Sequence, residues 1–400
     1  MTSQHISESI VVAILLTIFS VPAAALDWNI KDLGNLGGED QYAADVEHLA
    51  LGINNQGQVV GWSITPTQIF RDEPRNFLQA FVSAPNGGPL TNLHNVVTFI
   101  HDVPSTRNLE TDSQATAIND AGIVVFNAER FHAQRAALYS PPPYTHGFPV
   151  GPGGLLQATD INNNNQVVGK QLFSPVAFIS SIDGFNYHEF RDDVTDNPIA
   201  DIATGINDSG QVSLNGYSGD KYKAMIWSEN EGARFIATRP EFHSLTVGIN
   251  NAGQVLGYES TSATSPQFGS IGFLTAPDGG EVNYLDTFGG SFNQVMGLNN
   301  FGQVVGQAQD EFGIYHAYFT GPNGQGIFDL DHEQDILDAG WSNIRLAAIN
   351  DLGQIAGTGD HNGVRRPFLL TPVPEPETYA MMLAGLSVLG FVRRRKIKAA

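Results

Sequence analysis

Short apolar stretches alternate with turn residues along most of the chain, and one nine-residue phrase recurs within this pattern. Each copy reads close to Ile-Asn, then Asn or Asp, any residue, Gly-Gln-Val, any residue and Gly. Alternating residues precede the turn, as in 115–118, and β-branched residues such as Val59 and Val60 follow it. The fifth position is Gly in six copies and Asn165 in the other, which predicts a β-hairpin with a left-handed residue there. The leading Asn suits an Asx turn.

Seven copies of the phrase are spaced 43 to 65 residues apart. They begin at Ile53, Ile118, Ile161, Ile206, Ile249, Leu298 and Ile349. After each hairpin comes a third strand with a small residue followed by apolar ones, and in several copies a short fourth strand, as in 90–93, 282–285 and 327–330. Four antiparallel strands in about 45 residues is the size of a β-propeller blade. The sequence therefore predicts an all-β, seven-bladed β-propeller over residues 26–372.

The ends of this body predict how the ring closes. The seventh copy stops at Pro372 without a fourth strand, and residues 28–33 supply a spare one. We therefore expect the N-terminal strand to complete the last blade and close the ring. Phe126 and Leu214 replace the final Gly in copies two and four, so we expect those two blades to be irregular.

The third strand carries a further signature. It reads His316-Ala317-Tyr318 in copy six, and the same phrase without His recurs at residues 79–81 and 176–178. This repeat resembles the HAF family of extracellular repeats. The resemblance implies an exported repeat protein with no established catalytic residues.

The N-terminus is typical of a signal peptide. An apolar run at 10–21 is followed by Ala23 and Ala25, the small-x-small pattern read by signal peptidase, which places cleavage after Ala25. The run is shorter than the roughly 20 residues of a spanning helix. Glu8 precedes it and no Lys or Arg does, so either export is weakly specified or the true start lies upstream. The alternative is a buried N-terminal helix.

The C-terminus, 373–400, has three parts in order. Two prolines flank Glu375, an apolar segment covers 380–392, and a basic cluster follows. The motif residues are Pro374, Glu375 and Pro376, and the basic residues are Arg393, Arg394, Arg395 and Lys396. The apolar segment predicts a helix in contact with the inner membrane, with the basic cluster cytoplasmic.

This tail resembles the PEP-CTERM sorting signal of Gram-negative bacteria. The resemblance implies processing by an exosortase, tethering to the membrane beforehand, and delivery to the cell surface or to an extracellular polysaccharide matrix. A plain tail anchor is the alternative.

Composition narrows the possible chemistry. The net charge of −21 argues against nucleic acid as a partner, and the absence of cysteine excludes disulfides and thiolate chemistry. No catalytic or cofactor motif is present, so we expect no enzyme, cofactor or metal site. His332 lies in an acidic stretch that we interpret as a solvated loop rather than a cation site. Asp120, Asp208 and Asp351 supply one charge per phrase, too few for a dedicated calcium site.

Two long connections, 65–76 and 94–112, are the candidate binding loops. Their charged and aromatic residues include Phe70, Arg71, Arg75, His101, Asp102 and Arg107. A tolerated insertion is the alternative.

Two functions fit this sequence. The first is a non-catalytic module that binds or organises matrix polysaccharide or another surface partner. The second is a secreted polysaccharide hydrolase or lyase, which needs a pair of carboxyl groups meeting in the central funnel.

Overall fold

The computed structural model describes residues 27–38, 48–66, 68–70, 73–93, 112–130, 133–139, 156–172, 176–183, 186–192, 195, 197–262 and 270–373. The predicted signal peptide with Ala23 and Ala25 lies outside these residues. So do the sorting motif, the apolar segment and the basic cluster of the predicted tail. Within the described residues, no helix is long and apolar enough to cross a membrane.

The described chain is almost entirely β-structure. In chain order the elements are β1 (Asp27–Asp32), β2 (His48–Ile53), β3 (Val59–Ile64), β4 (Gln68–Phe70), β5 (Glu73–Arg75), β6 (Leu78–Ser83), β7 (Leu90–Asn92), β8 (Ser113–Ile118), β9 (Val124–Arg130), β10 (Ala133–Tyr139), β11 (Leu156–Ile161), β12 (Gln166–Gln171), β13 (Ala177–Ser181), β14 (His188–Glu189), β15 (Ile202–Ile206), β16 (Val212–Ser218), β17 (Lys221–Ser228), β18 (Gly232–Phe235), β19 (His243–Ile249), β20 (Val255–Ser260), β21 (Ile271–Thr275), β22 (Val282–Tyr284), β23 (Gly289–Leu298), β24 (Val304–Asp310), β25 (Tyr315–Phe319), β26 (Phe328–Asp329), α1 (Gln334–Asp338), β27 (Trp341–Ile349), β28 (Ile355–His361) and β29 (Val364–Val373).

The strands form antiparallel sheets, one for each copy of the phrase, which we number 1 to 7 in copy order. Sheets 1, 3, 4, 5, 6 and 7 have four strands each, and sheet 2 has three, β8–β10, among the described residues. The four-stranded sheets are β2-β3-β6-β7, β11–β14, β15–β18, β19–β22, β23–β26 and β27-β28-β29-β1, and β4 and β5 form a separate ribbon. The prediction of seven four-stranded blades is therefore wrong: over the described residues the fold is an all-β propeller with six four-stranded blades. The fourth strand expected for copy two would fall within 140–155, outside the described residues.

Closure of the ring also differs from the prediction. β1 pairs with β29 from Asp27↔Val373 to Asp32↔Phe368 and so forms the outer edge of sheet 7. Around the axis, β2 and the turn after it carry bonds between the first copy and the last, while at the outer edge of sheet 7 Lys31 Nζ donates to the Asn86 carbonyl of sheet 1 at 3.0 Å. The Ala50 amide donates to Thr358 Oγ1 at 3.1 Å, and Asn350 Nδ2 donates to the Asn54 carbonyl at 2.9 Å. The ring is thus joined by its inner strands rather than closed by the N-terminal strand.

The final Gly of the phrase lies opposite a large aromatic residue of the third strand. These pairs are Gly61–Phe81, Gly169–Phe178, Gly257–Phe273, Gly306–Tyr318 and Gly357–Phe368. In sheet 2 the sizes are exchanged, because Phe126 pairs with Ala137, whereas in sheet 4 two residues of similar size, Leu214 and Met225, are paired. Where the third strand lacks an aromatic ring, the second strand therefore has a large apolar residue in place of Gly. Sheet 4 is a regular four-stranded sheet, contrary to our expectation of irregularity.

Candidate functional site: the axial rings and the hairpin face

The leading Asn of the phrase organises each turn. In copy one, Asn54 Oδ1 accepts from the amides of Gln56 and Gln58 at 3.1 and 3.0 Å. Asn54 Nδ2 donates to Gln58 Oε1 at 3.0 Å and to the Asn119 carbonyl of copy two at 3.0 Å. The predicted Asx turn is confirmed, and the Gln four residues on completes it. The fifth position is left-handed in every copy, with φ between 61° and 77°.

Seven such asparagines form a closed inner ring. Each Nδ2 donates to the backbone carbonyl of the matching Asn in the next copy, at 2.9 to 3.1 Å. The members are Asn54, Asn119, Asn162, Asn207, Asn250, Asn299 and Asn350. All seven are at most 4% exposed, so these bonds satisfy amides that water cannot reach.

The next residue of each phrase forms a second ring, the rim. Each backbone amide donates to Oδ1 of the neighbouring rim residue at 2.8 to 2.9 Å. The rim consists of Asn55, Asp120, Asn163, Asp208, Asn251, Asn300 and Asp351. Each aspartate Oδ2 accepts from the Nδ2 of the two flanking asparagines, at 2.8 to 3.2 Å. The rim carboxylates are therefore joined to amides rather than to one another.

The two rings surround an axial cavity of about 160 Å³. Asp160 lines this cavity at a position where the other copies have a small residue. Those residues are Gly52, Ala117, Gly205, Gly248, Gly297 and Ala348. Asp160 Oδ1 accepts from the Ile161 amide at 2.8 Å and Oδ2 from the Ile206 amide at 2.9 Å. Burial raises the pKa of Asp160 from 3.8 to about 6, and the two backbone hydrogen bonds offset this only in part.

This pKa predicts a pH-dependent difference between the protein and its Asp160→Ala variant. Because the pKa is higher in the folded state, that state binds more protons between pH 4 and 6. The stability contributed by Asp160 therefore falls as pH rises through this window, by about 3 kcal/mol for a shift of this size. Urea midpoints measured from pH 4 to 7.5 should show the stability of the variant relative to the wild type rising up to about pH 7, and no further above it.

Asp220→Ala is the control, since the Asp220 side chain is 89% exposed. Its stability relative to the wild type should not change over the same range. If the difference in urea midpoint between the wild type and Asp160→Ala is constant from pH 4 to 7.5, the raised pKa of Asp160 is contradicted.

The two ends of the sheets face opposite sides of the ring. The phrase turns lie on one side, which we call the turn face, and the connections between second and third strands lie on the other, the hairpin face. The β4–β5 ribbon extends the connection of sheet 1 on the hairpin face. Val373 lies at the turn face, since β29 runs from His361↔Val364 towards Ile355↔Leu370, and Asp27 is paired beside it.

The hairpin face carries exposed aromatic and apolar groups. In sheet 4, Tyr217 is 49% exposed and its ring centroid lies 4.2 Å from that of Tyr222, whose hydroxyl donates to Asp201 Oδ2 at 3.2 Å. In sheet 6, the tip between β24 and β25 exposes Phe312 by 78% and Ile314 by 58%. On the turn face, Phe301 and Leu352 of the phrase turns are 40% and 55% exposed.

Few of the residues predicted as binding groups fall within the described structure. Phe70 ends β4 and pairs with Glu73, and Arg75 ends β5 and pairs with Gln68. Arg71, His101, Asp102 and Arg107 lie outside the described residues. The structure therefore places the backbone of part of the first candidate loop on the hairpin face and tests no contact of its side chains.

Sequence reasoning missed both the inner ring and Asp160. The signal for the ring is that all seven copies have Asn at the second position. Hairpin geometry alone does not require Asn in every copy. The signal for Asp160 is a charged residue where every other copy has Gly or Ala. His332, interpreted as part of a solvated loop, is 68% exposed and its Nδ1 lies 2.7 Å from Asp329 Oδ2.

Comparison with known proteins identifies a motif in the C-terminal tail and structures with a similar fold. The PEP-CTERM protein-sorting motif matches residues 372–396. This confirms the predicted sorting motif and indicates an exported, exosortase-sorted protein. No curated protein matches the sequence at a significant level. The HAF resemblance stays a prediction.

Solved structures similar to this chain are propellers and related proteins. The β-propeller domain of the Trilobed protease from Pyrococcus furiosus, described as having an open velcro topology, matches with a TM-score of 0.50 and 9% identity, covering 82% of this chain and 98% of that one. YCF48 bound to D1 peptide matches with a TM-score of 0.48 and 11% identity, covering 89% and 99%. TolB from Acinetobacter baumannii matches with a TM-score of 0.41 and 9% identity, covering 88% and 97%. At these identities the first match shows the propeller fold alone.

Proposed function

We propose that this exported propeller is a non-catalytic binding module of the cell surface or matrix, and that its ligand is an extracellular polysaccharide. The observation that carries the proposal is the set of exposed aromatic groups on the hairpin face. That face lies opposite the turn face, where the described chain ends at Val373, at the start of the residues matched by the sorting motif. A chain tethered through its tail would thus present the hairpin face away from the membrane.

The chemistry of this face suits sugars. Exposed aromatic rings bury large areas with little loss of side-chain entropy, and a tyrosine adds a polar group at its edge. Tyr217 and Tyr222 lie together beside the Asp201 carboxylate, which offers an acceptor for hydroxyl groups. With a net charge of −21, the protein should favour neutral or amino sugars over anionic polymers.

The rim supports a binding rather than a hydrolytic role. Asp120, Asp208 and Asp351 each accept hydrogen bonds at both carboxylate oxygens, from a backbone amide and from asparagine side chains. A hydrolase needs one carboxylic acid that donates a proton and a second carboxylate that attacks or activates water. Asp160, which lines the same cavity and has a raised pKa, likewise accepts backbone amides at both carboxylate oxygens, from Ile161 and Ile206.

The proposal is tested by retention of the purified full-length chain on immobilised bacterial exopolysaccharides that are neutral, amino-sugar-containing or anionic. We expect retention on the first two classes without release of reducing ends. Tyr217→Ala and Phe312→Ala should each weaken retention about three- to tenfold, the loss expected for one aromatic contact.

Phe301→Ala and Leu352→Ala are the matched controls, since they remove comparably exposed apolar groups from the turn face. Both should bind as the wild type does. Equal losses from the two faces, or no retention on any polymer, would refute the proposal, and release of reducing ends would favour the hydrolase.

A further inference from the structure

We propose that His316, Asp329 and His332 form a zinc site at the outer part of sheet 6. His316 lies in β25, Asp329 ends β26, and His332 lies in the connection to α1. One ligand atom from each of the three lies within 4.8 Å of the others. This site is separate from the axial rings and does not depend on the proposed polysaccharide binding.

The Asp329 carboxylate lies between the two imidazoles. Its Oδ2 is 2.7 Å from His332 Nδ1 and 3.1 Å from His316 Nδ1. Its Oδ1 accepts from the Asp331 amide at 2.9 Å, which fixes the orientation of the group. Three ligand atoms of the kinds that zinc prefers, two imidazole nitrogens and one carboxylate oxygen, therefore lie within 4.8 Å of one another.

His316 provides an independent indication of a metal-binding position. Both of its ring nitrogens are buried, and neither makes a hydrogen bond of acceptable geometry, although Nδ1 lies near Asp329. Buried ring nitrogens without partners are uncommon in folded proteins, because losing water without a replacement costs free energy. A metal ion bound at Nδ1 would supply the partner.

Asp310 is placed to support that ligand. Its Oδ2 lies 3.5 Å from His316 Nε2, while its Oδ1 accepts from the Phe312 and Ile314 amides at 2.9 and 2.8 Å. With the metal at Nδ1, the proton of the neutral imidazole sits on Nε2 and points to this carboxylate. A carboxylate that accepts from a metal-bound histidine in this way fixes its ring and raises its basicity.

The types of ligand atom indicate which metal ion the site would bind. Calcium and magnesium prefer all-oxygen sites, whereas two imidazoles and one carboxylate suit zinc with a water molecule in the fourth position. Zinc bonds of about 2.0 to 2.1 Å would place tetrahedral ligand atoms about 3.3 Å apart. His332 can make the required adjustment, since its side chain is 68% exposed. The carboxylates of Asp310, Asp329 and Asp331 offset the charge of the ion.

The test is isothermal titration of the chelator-treated full-length chain with zinc chloride. We expect one zinc per chain, and a higher melting temperature with zinc because the ion binds the folded state. His332→Ala and Asp329→Asn should each weaken binding at least about 100-fold, and Asp310→Asn, which removes only the supporting carboxylate, by about 10- to 100-fold. His332→Ala alters an exposed side chain, so it keeps the test valid if the buried variants fail to fold.

His361→Ala is the matched control. His361 Nδ1 also lies 3.0 Å from an aspartate oxygen, that of Asp32, but His361 belongs to no such group of three in the described structure. This variant should bind zinc as the wild type does. The proposal is overturned if the wild type binds no zinc, if His332→Ala and Asp329→Asn bind it normally, or if the site takes calcium in preference to zinc.

Discussion

Replacing Phe273 with alanine should lower the free energy of unfolding by about 3 to 5 kcal/mol, the usual cost of removing a buried phenyl ring. Phe273 is fully buried, and it packs with Ile226 and Val255 between sheets 4 and 5. Its ring lies over Gly257, so that a Cβ atom built on that glycine would overlap with the ring and with the Leu245 carbonyl oxygen. Gly257→Leu alone should therefore cost several kcal/mol through overpacking.

Sheet 4 indicates which second substitution should offset the cost of Gly257→Leu. It fills the same space with Leu214 from the second strand and Met225 from the third. The double variant Gly257→Leu/Phe273→Met should therefore be more stable than the sum of the two single changes predicts, by about 1 to 3 kcal/mol. Urea denaturation of the four proteins gives this interaction energy. Strictly additive costs would show that a leucine–methionine pair like that of sheet 4 does not compensate.

Asn250→Ala should lower the free energy of unfolding by about 3 to 5 kcal/mol, because several buried hydrogen bonds lose a partner at about 1 to 3 kcal/mol each. Asn250 accepts from the amides of Ala252 and Gln254, and donates to Gln254 Oε1 and to the Asn299 carbonyl of the next copy. Asn250→Asp should be similarly damaging, since it removes both donors and places a negative charge against two acceptors. Thermal and urea denaturation measure both changes.

Asn283→Ala is the control for these variants. Asn283 lies in β22, is exposed and donates at 3.4 Å to the Glu281 carbonyl two residues earlier. Its loss should change the stability by less than about 0.5 kcal/mol. An Asn250→Ala variant as stable as this control would show that the inner ring contributes little.

Local features of the fold could be predicted because residues close in sequence determine them. The left-handed fifth position, the Asx turn and the strand after each turn follow from the phrase itself, and Asn165 fits the same geometry as the glycines. The fourth strands expected at 90–93 and 282–285 are found as β7 and β22. The sorting motif could also be predicted from the sequence, because its three parts follow one another directly along the chain.

Features that join distant residues were not predictable in the same way. Asn350 Nδ2 donates to the Asn54 carbonyl, and this pairing depends on the order of the copies around the axis. His316 and His332 meet only because β25 pairs with β26, which brings Asp329 between them. The number of four-stranded blades was overestimated because a repeated phrase predicts its own hairpin, whereas the fourth strand depends on residues outside the phrase.

The hydrogen bond from Asn350 to Asn54 has a consequence for the order of folding. It spans 296 residues, so the ring cannot be joined before the last copy has left the export channel. Bringing together two distant segments carries an entropic cost that local hairpins do not, and such contacts slow folding. We expect the individual sheets to form early and the junction between the first and last sheets to form last. Until then both inner edges are open, and a chain truncated before the seventh copy would lack the acceptor of Asn299 Nδ2 and the donor to the Asn54 carbonyl.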